Sequence, residues 1–193
     1  MNIKTTLFGT ILLASLAACG GGGDITVGGD PEAPPATALA YQDPAATGFR
    51  LVRSATSSGT HLVLDLKGPA GTQGKGVAFF LKADAAKVTW VHPTGAAGTC
   101  VAPGTVFPLG TAPQLFKDKV ASGSLQVGLF QKGGTATTLA DAPILSLALD
   151  LSSSAVPAGA VSLGLESGKQ AVLLGADGSL SPITIAVGSL SAQ

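Results

Sequence analysis

"GVAFFLKAD", Gly76 to Asp84, places Val77, Phe79 and Leu81 on one side of an extended chain and Ala78, Phe80 and Lys82 on the other. A period of two marks a β-strand with one face buried, because successive side chains of a strand point to opposite sides of the sheet. The pattern recurs on both sides of this stretch. "HLVLDL" aligns Leu62, Leu64 and Leu66 against His61, Val63 and Asp65, and "KVTWVH" pairs Val88 with Trp90. "SLQVGLF" aligns Leu125, Val127 and Leu129, and "ILSLALDL" sets Leu145, Leu147, Leu149 and Leu151 against Ile144, Ser146, Ala148 and Asp150. "VSLGLES" aligns Val161, Leu163 and Leu165, and "ITIAV" aligns Ile183, Ile185 and Val187. Seven or more such strands, broken by Gly, Pro, Ser and Asp, predict an all-β fold, a single β-sandwich. One segment departs from the pattern: "APQLFKDKVASG", within Pro108 to Gly123, predicts a short helical turn with Leu115, Phe116 and Val120 facing inward.

The chain in front of the sandwich divides in two. Residues 1–18 carry one charge, Lys4, then an apolar run from Leu7 to Leu16 and a small-residue exit, the form of an export signal. The run is too short to cross a hydrocarbon layer as a helix, which takes about 20 residues. Leu16-Ala17-Ala18-Cys19 resembles the bacterial lipobox, and the resemblance implies cleavage before Cys19 and acylation of that residue. Each buried CH₂ contributes about 0.8 kcal/mol, so several acyl chains would hold the protein on a bilayer. Gly rather than Asp at position 20 points, by resemblance to Gram-negative lipoproteins, to the outer membrane. Residues 19–47 hold six Gly and four Pro and few large apolar side chains, and read as a flexible tether. The sandwich is then expected over residues 48–193, ~146 residues that can bury roughly 68–70% of their unfolded surface without a disulfide.

Charge and cysteine content narrow the partners. Without residues 1–18 the net charge is near −1, and no basic run appears, which argues against nucleic acid. Only 11% of the chain is charged, against a usual quarter. With Cys19 consumed by lipid, Cys100 stands alone and no intrachain disulfide can form; it reads as a partly buried loop residue.

A search for catalytic chemistry finds no constellation. His61 and Asp65 share a strand face about 13 Å apart at ~3.3 Å per residue, too far to bond, and His92 lies at a strand end beside Pro93. No nucleophile elbow occurs. "GPAGTQGKG" lacks the glycine offset and the following helix of a phosphate loop, and reads as a mobile loop between strands. No C-x-x-C, H-E-x-x-H or Asp-rich calcium loop is present, so no metal and no cofactor is expected. Asp84 and "GADGS" are turn chemistry. Asp141, Asp150 and Glu166 stay open as a carboxylate set that nothing in the sequence singles out. A sugar platform would need exposed aromatics, but Trp90 reads as core and Tyr41 lies in the tether.

"GKGVAFFLKADAAKVTWVHPTG", Gly74 to Gly95, resembles the opening of cohesin domains, where a strand runs through an Asp turn, here Asp84, into a second strand starting here at Val88. "GSLQVGLFQKGG", "ILSLALDLSSSAVPAGAVSLGLES" and "LGADGSLSPITIAVGSL" resemble the middle and the close of that family, so the likeness spans about Gly48 to Gln193. It implies a jelly-roll sandwich of about nine strands and a non-catalytic module that binds a dockerin-bearing protein. The family's Tyr and Pro around the turn Asp are Ala83 and Ala85 here. Its dockerin-facing positions are Gly76, Ala78, Phe80 and Lys82, flatter and more apolar than is usual in the family. Phe80 and Phe130 both point outward by alternation and could share one exposed apolar patch, which would mark an interaction site.

The function expected from the sequence is thus a lipid-anchored envelope protein with two attachments. One is to the bilayer through acylated Cys19. The other is to an unidentified protein, dockerin-like by resemblance, through a face carrying Ala78, Phe80, Lys82 and Phe130. The alternative is a carbohydrate-binding module on the cell surface with a polysaccharide ligand.

Overall fold

The computed structural model describes residues 33–107, 115–131 and 135–193. The segment expected to be an export signal, Cys19 and the first part of the expected tether lie outside the described residues. Within them there is no helix. The first strands are β1 (Leu39–Gln42), β2 (Phe49–Arg53), β3 (His61–Lys67), β4 (Gln73–Gly74), β5 (Gly76–Ala83) and β6 (Val88–Val91). Then come β7 (Val101–Pro103), β8 (Leu115–Ala121), β9 (Ser124–Phe130), β10 (Thr137–Thr138), β11 (Leu145–Leu151) and β12 (Gly159–Val161). The last are β13 (Leu163–Leu165), β14 (Ala171–Leu174), β15 (Leu180–Ile183), β16 (Ile185–Ala186) and β17 (Ser189–Ala192).

Two six-stranded sheets form the sandwich. The first runs β16-β2-β3-β11-β6, with β7 also paired to β11. The second runs β15-β14-β5-β9-β8, with β13 also paired to β5. A small sheet, β1-β17-β12, and a two-residue ladder, β4-β10, complete the fold. All pairings are antiparallel except β16 with β2. The expected sandwich is therefore present, in more and shorter strands than nine.

The alternating leucines explain the register. Leu145, Leu147 and Leu149 lie directly opposite Leu66, Leu64 and Leu62, and all six are fully buried. On the facing sheet Val77, Phe79 and Leu81 oppose Leu129, Val127 and Leu125, and these too are buried. Each such side chain contributes roughly 1.5–3 kcal/mol by leaving water. A slip of one residue would turn the whole set to solvent, so the alternation sets the pairing as well as the strands. Trp90 is core, as expected, and its ring N–H donates to the Gly123 carbonyl at 2.9 Å, tying the first sheet to the β8-β9 turn of the second. Val63 and its cross-strand partner Ala148 belong to the outward set yet are buried.

The chain passes from β5 in one sheet to β6 in the other through Asp84, whose carboxylate accepts from the Ala86 N–H at 3.0 Å. That is the turn role expected of it. Asp177 does the same for the Ser179 N–H at 3.0 Å.

Three expectations need correction. The fold does not start at residue 48. β1 pairs with β17 at the chain's end, Leu39 opposite Ala192 and Tyr41 opposite Leu190, and Ala36, Leu39 and Tyr41 are buried in the core. Tyr41 is thus a core residue, its hydroxyl donating to Leu51 O at 3.2 Å and accepting from the Gly188 N–H at 2.6 Å. Burial pushes its phenol up to about 12. "LAYQ" alternates, with Leu39 and Tyr41 inward, but over four residues that pattern does not stand out among its Pro- and Ala-rich neighbours. Second, Leu115–Ala121 is a strand along its whole length, hairpinned to β9, with Phe116 packed on the core but Val120 44% exposed. Ser122 and Gly123 both take positive φ, 50° and 78°, as a two-residue hairpin turn requires, and this turn is what the sequence concealed. Third, "GPAGTQGKG" is not simply a mobile loop, since Gln73–Gly74 pairs with Thr137–Thr138.

Candidate protein-binding face

The residues with catalytic potential are occupied separately. His61 and Asp65 do not meet. Across the β3-β11 pair His61 faces Asp150, with its Nδ1 2.6 Å from a carboxylate oxygen, and its Nε2 lies 3.0 Å from the Pro93 carbonyl. Burial alone would lower the imidazole pKa; the Pro93 carbonyl and the Asp150 carboxylate outweigh it and raise the value. Asp65 accepts from Ser146 Oγ at 2.6 Å. His92 Nδ1 receives the Thr94 N–H at 3.2 Å. Cys100 is half-buried, its N–H donating to Asp118 at 2.8 Å; burial first, and Asp118 second, push its thiol up, which disfavours the thiolate.

The three open carboxylates do not form a set. Asp141 takes Arg50 at 3.0 Å and Lys67 at 3.3 Å at one end of β3, while Asp150 takes His61 at the other, some 20 Å away at ~3.3 Å per residue. Glu166 is on the second sheet, where its N–H bonds Phe80 O. Among the described residues no group of acidic, His or Cys side chains could hold a metal ion.

The outward side of the second sheet has a different character. Strand pairing fixes its rows. Leu180, Leu174, Gly76 and Phe130 form one row, and Pro182, Val172, Ala78, Gly128 and Lys117 the next. Phe80, Gln126 and Lys119 form the third, and Gly164, Lys82, Ser124 and Ala121 the fourth. All four residues expected on a partner face, Ala78, Phe80, Lys82 and Phe130, therefore stand on one side of one sheet. They do not make a single aromatic patch. Phe80 and Phe130 are separated by about 13 Å along the strands, with Ala78 and Gly128 between them. Each ring is half-buried for its own reason. A Cβ at Gly76 would sit 2.4 Å from Phe130 Cδ1, so Phe130 lies across the bare backbone of Gly76. The Lys169 ammonium lies 5.5 Å above the Phe80 ring.

The rows divide the face into an apolar end and a basic end. At the apolar end Leu180 is 61% exposed, and Leu174, Val172 and Phe130 are half-buried. The basic end carries Lys82, Lys119 and Lys169 around a hollow of about 300 Å³ whose lining includes Phe80, Gln126 and Glu166, with Lys117 one row away on β8; all four lysines are exposed. Lys82 donates to the Ser122 carbonyl. None of the four lysines forms an ion pair among the described residues. Lys119 lies in the segment whose sequence predicts a helical turn; as a strand, the alternation of "KDK" puts Lys117 and Lys119 on one side. Lys169, Leu174 and Leu180 join the face only through pairing with strands far away in the chain. Of the aromatic side chains among the described residues, Tyr41, Phe49, Phe79, Trp90 and Phe107 are buried, and Phe80, Phe116 and Phe130 half-buried, so no ring stands clear as a sugar platform.

Solved structures with the same fold are cohesins. The second type II cohesin module of the adaptor scaffoldin ScaA from Acetivibrio cellulolyticus matches with a TM-score of 0.55 at 14% identity, over 76% of this chain and 90% of that one. Type II cohesin A11 from Bacteroides cellulosolvens gives 0.53 at 16%, over 74% and 97%. A cohesin from a type II cohesin–X–dockerin complex of A. cellulolyticus gives 0.53 at 13%, over 74% and 95%. No family model matches the chain, and no curated protein sequence matches it significantly. At such identities the likeness establishes the cohesin-like fold alone.

Proposed function

We propose that this chain is an exported lipoprotein, held in the outer membrane through acylated Cys19, that displays a non-catalytic cohesin-like module for binding another protein at the cell envelope. The binding surface is the outward side of the β14-β5-β9-β8 sheet. The observation that carries this reading is the segregated face itself: an exposed Leu180 with half-buried Leu174, Val172 and Phe130, beside four lysines without ion-pair partners among the described residues. Exposed apolar area rimmed by polar groups is the usual mark of an interaction site. One of the structural neighbours comes from a cohesin–dockerin complex, which supports a dockerin-like partner for this chain.

A photo-crosslinking amino acid placed at Gln126, in the centre of the face, tests the proposal in the producing organism. A discrete cross-linked protein is expected there, and none from Thr89, which is exposed on the outward side of the other sheet. Cross-linking from Thr89 but not Gln126 would refute the choice of face. Clear glycan-array binding, with no protein captured, would favour the carbohydrate-binding alternative. Incorporation of a labelled fatty acid into the wild-type chain, lost in Cys19→Ser, tests the anchor.

A further inference from the structure

The lysine end of the face is charged in a way the outward side of the opposite sheet is not. On the opposite sheet Arg50 and Lys67 share Asp141, and His61 sits on Asp150. On the proposed binding face Lys82 and Lys169 are held by neutral groups, a backbone carbonyl and a phenyl ring. Such groups position an ammonium without cancelling its charge. The Lys119 ammonium, on a residue paired with Gln126 only through the ladder, makes no side-chain hydrogen bond among the described residues. Glu166 is the one acidic side chain lining the hollow between them. The rows at the opposite end, Leu180, Leu174, Pro182 and Val172, are uncharged, and of the charges that border them Asp177, in the β14-β15 turn, is already matched by Lys75.

We propose that the Lys82, Lys119 and Lys169 end of this face receives carboxylates of a protein partner whose adjoining surface is apolar, so that the partner docks in one direction only. The inference rests on the reading of this face as the protein-binding one. Lys82 and Lys119 stand two strands and one row apart, about 12 Å, a span that two acidic side chains on one element of the partner can cover. Turned end for end, the same partner would lay its carboxylates on Leu174 and Leu180, where they would be desolvated without a counter-charge. Charge complementarity of this kind selects the partner and its orientation. An anionic polysaccharide would meet the lysines but leave the aliphatic rows uncovered, with no exposed ring to stack on, so the surface fits a protein better.

A phage-displayed random-peptide library, panned on the full chain in detergent and counter-selected on the K82E/K119E/K169E variant, tests this. Enriched peptides should combine acidic with aliphatic residues. Made synthetically, they should bind the triple variant at least about tenfold more weakly and lose affinity as salt rises through physiological strength. Spin-labelled at the acidic end, they should broaden amide signals of Lys82 and Lys119 rather than of Leu174. Thermal unfolding of the variant should match the wild type, which separates lost binding from lost fold. Peptides that broaden Ala78 and Gly128 but carry no acidic bias, or bind the triple variant equally, would overturn the inference and leave the protein-binding reading standing. Peptides that map to another surface, or no enrichment at all, would overturn both. Retention on dextran sulfate without any acidic peptide enriched would assign the lysines to an anionic glycan instead.

Discussion

The two outer faces of this sandwich are built from strands of the same kind and end in different states. On the β2-β3-β11-β6 side the outward polar groups close on one another: Arg50 and Lys67 on Asp141, His61 on Asp150, Ser146 on Asp65. On the β14-β5-β9-β8 side the outward groups are mostly apolar side chains and lysines, with Gln126 and Ser124 between them, and the lysines form no ion pair among the described residues. A face whose charges already have partners gains little by meeting another surface. A face with unpaired cations beside partly exposed apolar side chains gains from both contacts. The difference lies in the identity of a few outward residues, since the inward sets of both sheets are equally apolar.

Substitutions can break or sharpen this contrast. The largest effect belongs to the layer both faces share: Leu147→Ala, at a fully buried position of β11, should cost about 2–5 kcal/mol in urea unfolding. A loss well below that range would mean that the core under the paired face is loose. Next comes Gly76→Val. Its Cβ would meet Leu129 O and Phe130 Cδ1, each at 2.4 Å, so a loss of roughly 1–3 kcal/mol is expected, with altered near-ultraviolet signals from a displaced Phe130 ring. If Gly76→Val were neutral, Phe130 would not be lying on the backbone there, and the apolar row would need redrawing.

His61 gives a smaller, pH-dependent effect on the paired face. Its two ring nitrogens face two acceptors, a carboxylate and a carbonyl, so the protonated ring satisfies both. Its folded pKa is raised, so its contribution is complete below the unfolded value of about 6.5 and is lost as pH rises through the folded value. Thermal melts should show the wild type losing its advantage over His61→Gln as pH climbs from mildly acidic to alkaline. The difference at low pH should be no more than about 1 kcal/mol. An advantage that grew with pH would contradict the pairing. The smallest effect is expected from Lys119→Ser on the other face: stability unchanged within about 0.5 kcal/mol. A clear loss there would show that Lys119 is structurally engaged, and the contrast between the faces would fail.

Residue alternation made most of the sandwich legible. Val77, Phe79 and Leu81 and the leucines of β3 and β11 are buried as their period of two demands, and Asp84 makes the turn assigned to it. Elements whose sequence carries little alternation were missed. β1 is four residues long, and its only ladder partner among the described residues is β17, about 150 residues later. β8 was obscured by a polar run and by a turn that depends on positive φ at Ser122 and Gly123. The candidate face was half legible. Ala78, Phe80, Lys82 and Phe130 follow from counting along β5 and β9, whereas Lys119, Lys169, Leu174 and Leu180 join them only because β8, β14 and β15 pair into the same sheet.

The sequence by itself determined the class of fold and which side of each strand is buried, because burial of alternate side chains is a local property with a fixed period. It also carries the lipobox likeness at Cys19. Only the tertiary structure decided where the fold begins, that His61 belongs with Asp150 rather than Asp65, and that one face holds its ion pairs while the other leaves four lysines beside bare aliphatic rows. Those are matters of which strands become neighbours and in what register, and that choice is made by the packed core as a whole.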